Sequence, residues 1–594
     1  SDVVAGAPGY DGPAGANAGR TTVYHGAAGA PTQDEGVVIT GTIAETAGDV
    51  NGDGFSDVVV GDETTSAASV YYGSPTGLPA AADWTWGLNA DHILGSAAGD
   101  VNGDGYADVL VLGGQSAYLF LGSAAGLASS SPVWSATVQQ DYSNPGDVGT
   151  AGDVNGDGFS DVVVGSRNAV TARVYYGSPT GLAGAADWTA TSTDGYGSTM
   201  GTAGDVNGDG YADVLVAGNS AVYAYYGDVA GLTSGTPDWS YAVAGSLNDP
   251  CTAATAGDVN GDGYADVIVG APSANNRAGK VYLFLGSATG LDAPLLELGG
   301  QANYDQFGSS VATAGDVNGD GYADVIVGAP ETDQPYQSYA GRAYLYYGSS
   351  MGLRSGQEPW TYERASVQYL GKHVAGAGDV DGDGFADLLI NAVYTHYWPE
   401  QDWTILQHGN DGGGRLALAR QTRGDGSPTV VQPWGRSTRD SFAVLLHAVN
   451  PLGRGRARLQ LQACPPGTPF GHASCQAYTA ANWTEVVDAA GVDLAEMAEW
   501  LQEDTLYRWR ARLLYDSPFN PRGPWHRFLG QGQEADVRAG RLATDLRITM
   551  TMMPTEELTL PAQITYTLSY VAAGGPAAGV VISDILPASL DNVE

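Results

Sequence analysis

Seven short segments of the sequence carry oxygen-bearing side chains at one fixed spacing. The first runs from Asp49 to Asp57 and reads Asp-Val-Asn-Gly-Asp-Gly-Phe-Ser-Asp, with carboxylates or an amide at positions 1, 3, 5 and 9. Glycine at positions 4 and 6 lets the backbone curl through positive φ, and position 7 offers its carbonyl oxygen. Ca²⁺ takes roughly six to eight hard oxygen ligands at about 2.3–2.6 Å, which one such turn can provide. The spacing therefore predicts a structural calcium site in each segment.

The same pattern recurs in seven copies, so we predict about seven Ca²⁺ per chain as structural cofactors. The predicted ligands are the side chains at positions 1, 3, 5 and 9 and the carbonyl at position 7: Asp49, Asn51, Asp53, Phe55 and Asp57; Asp100, Asn102, Asp104, Tyr106 and Asp108; Asp153, Asn155, Asp157, Phe159 and Asp161; Asp205, Asn207, Asp209, Tyr211 and Asp213; Asp258, Asn260, Asp262, Tyr264 and Asp266; Asp316, Asn318, Asp320, Tyr322 and Asp324; Asp379, Asp381, Asp383, Phe385 and Asp387.

Two other interpretations of these segments fit less well. They could be turns that only close hairpins, but three or four carboxylates in one turn repel strongly without a cation. The helical EF-hand loop needs a Glu at position 12, where the first copy has Val60 inside a predicted strand. Magnesium is the weaker candidate ion, because it prefers a tight octahedron and keeps its waters.

Each segment belongs to a longer repeat, with successive copies 51 to 63 residues apart. A β-branched run follows the loop, as at Asp57-Val-Val-Val-Gly, and then an alternating aromatic stretch, as at Val70-Tyr-Tyr-Gly-Ser. A Gly-Leu turn and often an Asp-Trp pair complete the copy. Four short strands in about 50 residues is the rhythm of β-propeller blades. We predict an all-β propeller over residues 1–410.

The number of blades depends on how the incomplete copies are counted. Ser1-Asp2-Val-Val-Ala-Gly-Ala-Pro reads as the tail of an earlier copy, with a third strand at Arg20–Gly26, and Trp403 begins the third strand of the seventh copy. Seven loop hairpins are visible beside eight copies of the second and third strands. We therefore predict seven blades, with eight as the alternative.

The repeats resemble the FG-GAP repeats of integrin α-subunits and their bacterial relatives. Phe307-Gly308 matches the first half of that name, and Gly270-Ala-Pro272 and Gly328-Ala-Pro330 match the second. The resemblance implies a propeller with calcium in the loops between the first and second strands, and a role in adhesion or surface assembly. The chain has about seven filled loops where integrin α has three or four, so integrin ligand-binding residues are not carried over.

Charge and hydropathy exclude several classes of partner. The 594-residue chain has 66 acidic and 25 basic residues, a formal net charge of −41, which argues against nucleic acid and anionic membranes. Seven Ca²⁺ would bring this charge to about −27. No apolar run approaches the ~20 residues of a membrane helix, so we expect no membrane insertion within this chain.

The composition changes near residue 400, since residues 1–400 hold nine Lys or Arg and residues 401–594 hold sixteen. Residues 411–540 alternate as strands, and the stretch around Tyr507 resembles a fibronectin type III strand pair; a generic β-sandwich is the alternative. Residues 541–594 are similar to the start of a DUF11-type immunoglobulin-like module. We expect immunoglobulin-like β-sandwich modules behind the propeller, with the last one truncated.

Two details of the C-terminal part are left open by the sequence. Cys464 and Cys475 lie eleven residues apart around a Pro/Gly-rich turn, which suits a small disulfide loop. Whether the two cysteines are bridged is left open. Arg508, Arg510 and Arg512 alternate along the predicted strand. We expect them on a solvated outer strand face, and anion binding is the alternative.

We expect a non-enzymatic, extracellular protein of the cell surface. The histidines are scattered, and no nucleophile elbow, phosphate loop or zinc-binding pair is present in the sequence. The predicted role is adhesion or surface assembly, with the propeller presenting a protein- or glycan-binding face on a β-sandwich stalk. One alternative is a subunit of an extracellular filament or surface layer that binds copies of itself. A polysaccharide-acting enzyme is the second alternative.

Overall fold

The computed structural model describes most of residues 43–540, with short gaps of which the longest are 139–145, 244–249, 395–400, 410–417, 449–454 and 528–535. It also describes residues 3–7, 20–24, 37–41, 546–553 and 565–572. Within these ranges the chain is built of antiparallel strands, with one short turn at Ala274–Arg277 in which residues 275–277 have positive φ. The predicted all-β class is therefore confirmed for the described residues.

Seven sheets, named ring sheets 1–7, follow one another along the chain, and the strands of sheets 1–6 pair in sequence order. The strands of ring sheets 1–6 are Ile43–Gly48, Asp57–Asp62, Ala67–Tyr71 and Trp84–Gly87; Ile93–Gly99, Asp108–Gly113, Ser116–Phe120 and Trp134–Thr137; Val148–Gly152, Asp161–Ser166, Thr171–Tyr175 and Trp188–Thr191; Thr199–Gly204, Asp213–Ala217, Ala221–Tyr225 and Trp239–Ala242; Thr252–Gly257, Asp266–Ala271, Lys280–Phe284 and Leu296–Gly299; Ser310–Gly315, Asp324–Ala329, Arg342–Tyr346 and Trp360–Tyr362.

Ring sheet 7 is completed by a strand from the other end of the repeat region. Val367–Gln368 and Val374–Gly378 both pair with Asp387–Tyr394, which pairs with Gln401–Gln407 as predicted from Trp403. The outer strand is Val37–Thr40, whose Val37 lies opposite Leu406 and whose Thr40 lies opposite Trp403. No pattern in the sequence predicted this strand. The predicted N-terminal pair, Val3–Ala7 with Arg20–Tyr24, forms a separate two-stranded sheet.

The first strands of the ring sheets lie side by side around an axis. Each contacts the first strand of the next sheet, and Val374–Gly378 of ring sheet 7 contacts Ile43–Gly48 of ring sheet 1. These strands line an axial cavity of about 610 Å³. The sheets therefore close into a ring, as in a β-propeller.

The second strand of each copy forms the core. In ring sheets 1–6 every residue of this strand is buried, as expected for a continuous Val/Ile/Leu run that is covered on both faces. Full burial of one such side chain contributes about 1.5–3 kcal/mol. Tryptophans of the fourth strands pack edge-on against the next sheet, for example Trp134 on Tyr175 and Trp188 on Tyr225. Packing between sheets therefore holds the ring together.

Tyrosines at the end of the third strand add a hydrogen bond between neighbouring sheets. The hydroxyl of Tyr72 accepts the Leu127 N–H at 2.7 Å, and the hydroxyl of Tyr176 accepts the Leu232 N–H at 2.8 Å. In each case the donor is the leucine N–H of the Gly-Leu turn in the following sheet. The tyrosine after the third strand of one copy and the Gly-Leu turn of the next copy are therefore the two partners of one contact.

Residues 419–540 form a second unit, named here the two-sheet domain. One sheet has the order Ala419–Arg423, Phe442–Ala448, Val492–Ala498, and the other Gln476–Thr479, Gly455–Cys464, Thr505–Tyr515, Val537–Ala539, with Thr484–Val486 also pairing to Gly455–Cys464. Both sheets contribute to one core, which includes Phe442, Leu461 and Tyr507. Cys464 and Cys475 are disulfide-bonded, and Cys251 of the ring is buried outside this disulfide.

Beyond the two-sheet domain, Leu546–Met553 pairs with Thr565–Ala572. The rest of the predicted DUF11-type module, including the run from Gly579, lies outside the described residues. Fibronectin type III-like and DUF11-type assignments stay predictions. Among the described residues, no helix combines the length and the apolar character that crossing a membrane requires.

We expect Tyr176→Phe to lower the free energy of unfolding by about 1–3 kcal/mol, because the buried N–H of Leu232 loses its acceptor. Denaturant unfolding in calcium-containing buffer measures this loss. The matched control is Tyr339→Phe, at a tyrosine that is 46% exposed. Equal shifts for the two variants would contradict the role assigned to the tyrosine contact.

Candidate metal centres

Each predicted calcium segment forms the loop between the first and second strands of one ring sheet, the location that the family resemblance implied. In loop 1 the Asp49 carboxylate accepts the N–H groups of Gly52, Asp53 and Gly54 at 2.7–3.1 Å. The Asn51 side-chain oxygen accepts the Asp53 N–H at 2.9 Å. The glycines have φ of 73° and 94°. Positions 1, 3 and 5 are thereby wound into one tight turn.

Position 9 ties the loop to the rest of its sheet. The Asp57 carboxylate accepts the Val50 N–H at 2.9 Å with one oxygen and the Gly73 N–H at 2.8 Å with the other. In all seven loops this aspartate is completely buried: Asp57, Asp108, Asp161, Asp213, Asp266, Asp324 and Asp387. The position 9 carboxylate therefore fixes the loop against the end of the third strand.

The loops are also bonded to one another. The N–H at position 8 of each loop donates to the position 1 carbonyl of the preceding loop, at 2.9–3.2 Å. The seven bonds run from Ala107 to Asp49, Ser160 to Asp100, Ala212 to Asp153, Ala265 to Asp205, Ala323 to Asp258, Ala386 to Asp316 and Ser56 to Asp379. Because the last of these returns to loop 1, the seven loops make a closed circle.

The aromatic residue at position 7 explains why position 4 must be glycine. The ring of Tyr106 in loop 2 lies against Gly52 of loop 1, where an added Cβ would come within 2.7 Å of it. The same contact recurs for Phe159 on Gly103, Tyr211 on Gly156, Tyr264 on Gly208, Tyr322 on Gly261 and Phe385 on Gly319. Positive φ and close approach thus both require glycine here.

The loops concentrate negative charge in a buried place. Burial, and secondarily the charge of Asp53, raises the pKa of Asp49 to about 7. Burial raises the pKa of Asp57 well above its usual range, and the neighbouring Asp49 adds to the rise. The pKa values of Asp100 and Asp205 are raised to about 7 for the same reasons. A divalent cation among these oxygens would favour the charged carboxylates and so oppose this rise in pKa.

The donor set fits Ca²⁺. Positions 1, 3, 5 and 9 offer only carboxylate and amide oxygens, which are hard ligands, and position 7 contributes a backbone carbonyl. In loop 7 the carboxylate oxygens of Asp379, Asp381 and Asp383 all lie within 4.8 Å of one another. Among the described residues, this close grouping of three acidic side chains is found at loop 7. Loops 1–6 hold the predicted donors in the same kind of turn, since the position 1 carboxylate accepts the position 6 N–H in each of them.

Sequence reasoning missed a histidine at loop 7. Nδ1 of His408 lies 3.2 Å from Asp381 Oδ2 and 3.3 Å from Asp387 Oδ1. Its contact with Asp387 is the main reason that the pKa of His408 is raised to about 9. His408 precedes Gly409 at the place where Tyr72 precedes Gly73. The sequence did contain a clue to this contact. Of the seven copies that carry a loop, the one with Asp at position 3 is also the one with histidine before the glycine that follows the third strand.

The expectation of a solvated face for the arginines near Tyr507 is wrong for Arg508. This side chain is 2% exposed, and its Nη1 lies 2.7 Å from Asp258 Oδ2, at position 1 of loop 5. Arg510 lies between the rings of Phe470 and Trp525. The alternation along the strand is as predicted, but at Arg508 the outer face of the strand is covered by the ring rather than by water.

Family models match the repeats of the ring. The FG-GAP repeat matches residues 252–284 and 307–346, and the FG-GAP-like repeat matches residues 49–111 and 153–216. A chain from the crystal structure of BBS1N in complex with ARL6DN, soaked with lead, aligns at a TM-score of 0.38 and 12% identity, over 64% of this chain and 96% of that one. A similarity this low carries no argument about the site.

Several curated relatives are integrin α-chains. Integrin alpha pat-2 of Caenorhabditis briggsae is 34% identical over 215 residues, 32% of this chain, and human integrin alpha-IIb is 39% identical over 150 residues, 23% of this chain. Phosphatidylinositol-glycan-specific phospholipase D of Bos taurus is 34% identical over 154 residues, 24% of this chain. The matches cover 17%, 14% and 18% of these relatives' own lengths. The ring is thus a β-propeller of FG-GAP repeats similar to those of integrin α-chains.

We expect metal analysis after dialysis without chelator to find about seven Ca²⁺ per chain, because seven loops carry the same donor set. Asp262→Ala removes the position 5 ligand of loop 5 and should lower the count by one. Asp292→Ala removes an exposed carboxylate outside the loops and should leave the count unchanged. A folded protein that retains no metal would contradict the assignment.

We expect the chelator-treated protein to lose thermal stability as the pH rises from about 4 to about 7. The pKa of Asp49 is about 7 in the folded protein and near 4 in an unfolded chain, so the folded state binds more protons in this window. That contribution is fully present below about pH 4 and is lost as the pH passes 7. Calcium and protons compete for the same oxygens, so saturating calcium should abolish the decline. Melting temperatures measured at several pH values, with calcium and with chelator, test this; a metal-free protein that gains stability over the window would rule it out.

Proposed function

We propose that each of the seven loops holds one Ca²⁺ and that the seven ring sheets are the blades of one closed propeller. The supporting observation is the circle of loop-to-loop hydrogen bonds, which passes through all seven donor sets and closes on loop 1. The cation, when bound, supplies positive charge and cross-links the oxygens of one loop. The loop residues position the donors, tie each site to its third strand and link neighbouring sites.

We further propose that the chain is an extracellular adhesion-type protein and not an enzyme. Integrin α-like repeats support an adhesion role, and the calcium demand suits a compartment with millimolar free calcium. The two-sheet domain and the strands after it serve as a stalk in this proposal. The similarity to a phospholipase D covers 18% of that enzyme, so its activity is not transferred to this chain.

The partner-binding surface is assigned to the face of the ring opposite the calcium loops. The two-sheet domain lies against the loop face, where Gln432 donates to the carbonyl oxygens of Asp49 and Gly105. The opposite face is formed by the connections from second to third strands and from each sheet to the next. That face is therefore the broad surface of the ring that the two-sheet domain leaves uncovered.

Over ring sheets 5–7 this opposite face carries exposed tyrosines in strained loops. Tyr304 is 60% and Tyr339 is 46% exposed, and the ring of Tyr339 stacks on that of Tyr369 with centroids 5.9 Å apart. All three have positive φ, between 54° and 74°, which is costly for a residue with a side chain. Tyrosine is enriched at protein interfaces because it combines a broad apolar ring with a polar end. We name this surface the tyrosine patch.

The same patch serves a second candidate function, contact between copies of this chain in a filament or surface layer. Exposed aromatic residues suit either a foreign protein or glycan, or a second copy. Analytical ultracentrifugation at micromolar concentration distinguishes the two. Ordered calcium-dependent multimers favour the polymer, and a monomer favours the adhesin.

We expect the double variant Tyr304→Ala/Tyr339→Ala to lose binding to purified extracellular-matrix proteins and arrayed glycans that the unmodified chain captures. The loss should reach about tenfold or more, because two aromatic side chains leave the interface. Val229→Ala is the control, since Val229 is 78% exposed and lies in a turn on the loop side of ring sheet 4. Unchanged binding by the double variant would remove the patch from consideration, and turnover of a polysaccharide would replace the adhesion proposal by the enzyme alternative.

A further inference from the structure

The two-sheet domain places arginines against six consecutive calcium loops. Arg420 lies against Gly54 of loop 1, and its charge opposes the rise in the pKa of Asp53. Arg527 acts in the same way on Asp316 of loop 6. Loops 2–5 are reached by direct hydrogen bonds or ion pairs. The arginines, in the order of loops 1 to 6, are Arg420, Arg423, Arg436, Arg538, Arg508 and Arg527.

Two of these contacts are buried ion pairs with the first ligand position of a loop. Arg508 Nη1 lies 2.7 Å from Asp258 Oδ2, with the side chains 2% and 3% exposed. Arg538 Nε lies 3.3 Å from Asp153 Oδ2, with the side chains 3% and 0% exposed. Removing one partner of such a pair leaves an uncompensated buried charge, which is strongly destabilising. These arginines are therefore fixed parts of the contact between the domain and the ring.

Other contacts depend on the shape of the loops rather than on their charge. Arg423 donates to the carbonyl of Gly103 at 2.9 Å and Arg436 to that of Gly156 at 2.6 Å, both at position 4. Arg538 also donates to the carbonyl of Gly210, at position 6 of loop 4. These glycine carbonyls are presented to the arginines by the curled, positive-φ backbone of the loop. A loop that uncurls would withdraw the acceptors.

The charges also favour loaded loops over empty ones. Each of loops 1–6 carries three aspartates and loop 7 carries four. A three-carboxylate loop that holds one Ca²⁺ keeps one formal negative charge, and one arginine cancels it. Without the cation, one arginine would face about three negative charges at neutral pH, or fewer where the loop carboxylates bind protons. The arginines are not shared out one to a loop, since Arg538 pairs with Asp153 of loop 3, where Arg436 also lies. In addition, Arg354 of the ring pairs with Asp320 of loop 6. Their total positive charge is nevertheless closer to the residual charge of loaded loops than to that of empty ones.

An apolar contact fixes the domain in the same place. Trp434 is 1% exposed and belongs, with Leu506, to a cluster that includes Val154 and Ala212 of the ring. Gln432 and Pro433 line the loop-side end of the axial cavity. The domain is thus seated on the axis of the ring, where it can reach loops on several sides at once.

We propose that the two-sheet domain is an internal partner that recognises the calcium-loaded loop face of the propeller, through arginines that reach loops 1–6. The proposal rests on the calcium sites proposed above. Its consequence is that cation loading and docking of the domain support each other, so that loss of calcium frees both the domain and the loop face. Calcium then controls whether the second face of the ring is open to other proteins.

The test uses the full chain and follows amide hydrogen exchange of residues 430–437, together with the radius of gyration from small-angle X-ray scattering. In saturating calcium, Arg436→Gln/Arg508→Gln/Arg538→Gln should speed exchange of this segment at least about tenfold, because buried ion pairs are lost, and should expand the particle. The unmodified chain should show the same two changes when calcium is removed with EGTA. Arg456→Gln is the matched control, because Arg456 pairs with Asp516 inside the domain.

Each outcome decides one point. Unchanged protection of residues 430–437 in the triple variant, with calcium saturating, would show that the arginines do not hold the domain. Unchanged protection in EGTA, while the loops themselves exchange faster, would show that the domain does not recognise loaded loops; this arm needs no variant and holds even if the triple variant fails to fold. An unmodified chain that binds no calcium would instead refute the proposed metal centres, which is a separate failure.

Discussion

Twenty-two carboxylates stand in one closed circle of seven loops, and their mutual repulsion is what the remaining structure must balance. Hydrogen bonds from loop N–H groups stabilise the charged form of each aspartate, yet burial still raises the pKa of several of them to about 7. The circle cannot spread apart to relieve the charge, because position 8 of each loop is bonded to the loop before it. Compensation has to come from outside the loops, through cations, arginines or protons.

Nearly everything that makes a single loop could be predicted from the sequence, because the information is local. The donors of one site fall within nine residues, and the glycines that shape it stand between them. The buried second strands could be predicted equally well, because a run such as Val58-Val59-Val60 fits a strand whose two faces are both covered. The seven-fold repetition then strengthened the prediction of one donor set in each loop.

The features that could not be predicted all join distant parts of the chain. Val37–Thr40 pairs with a strand more than 360 residues later, and four residues of ordinary β-propensity do not reveal their partner. Arg508 alternates with apolar neighbours like any solvent-facing residue, and only the packing of the domain on the ring buries it. His408 occupies the position that Tyr72 has in the first copy. The role of that tyrosine is known only from the structure, where its hydroxyl bonds to the next sheet.

The strand that completes ring sheet 7 also determines how the ring responds to a pulling force. Val37 lies opposite Leu406 and Thr40 opposite Trp403, so the chain enters the outer strand at the same end where the neighbouring strand leaves for the two-sheet domain. Tension between the segment before Val37 and the segment after Gln407 therefore pulls both strands at that one end. Their hydrogen bonds are loaded one after another, as in a zipper, and not all together as in shear. Under mechanical load the ring opens first at this seam, while the six sheets built from consecutive strands keep their pairing.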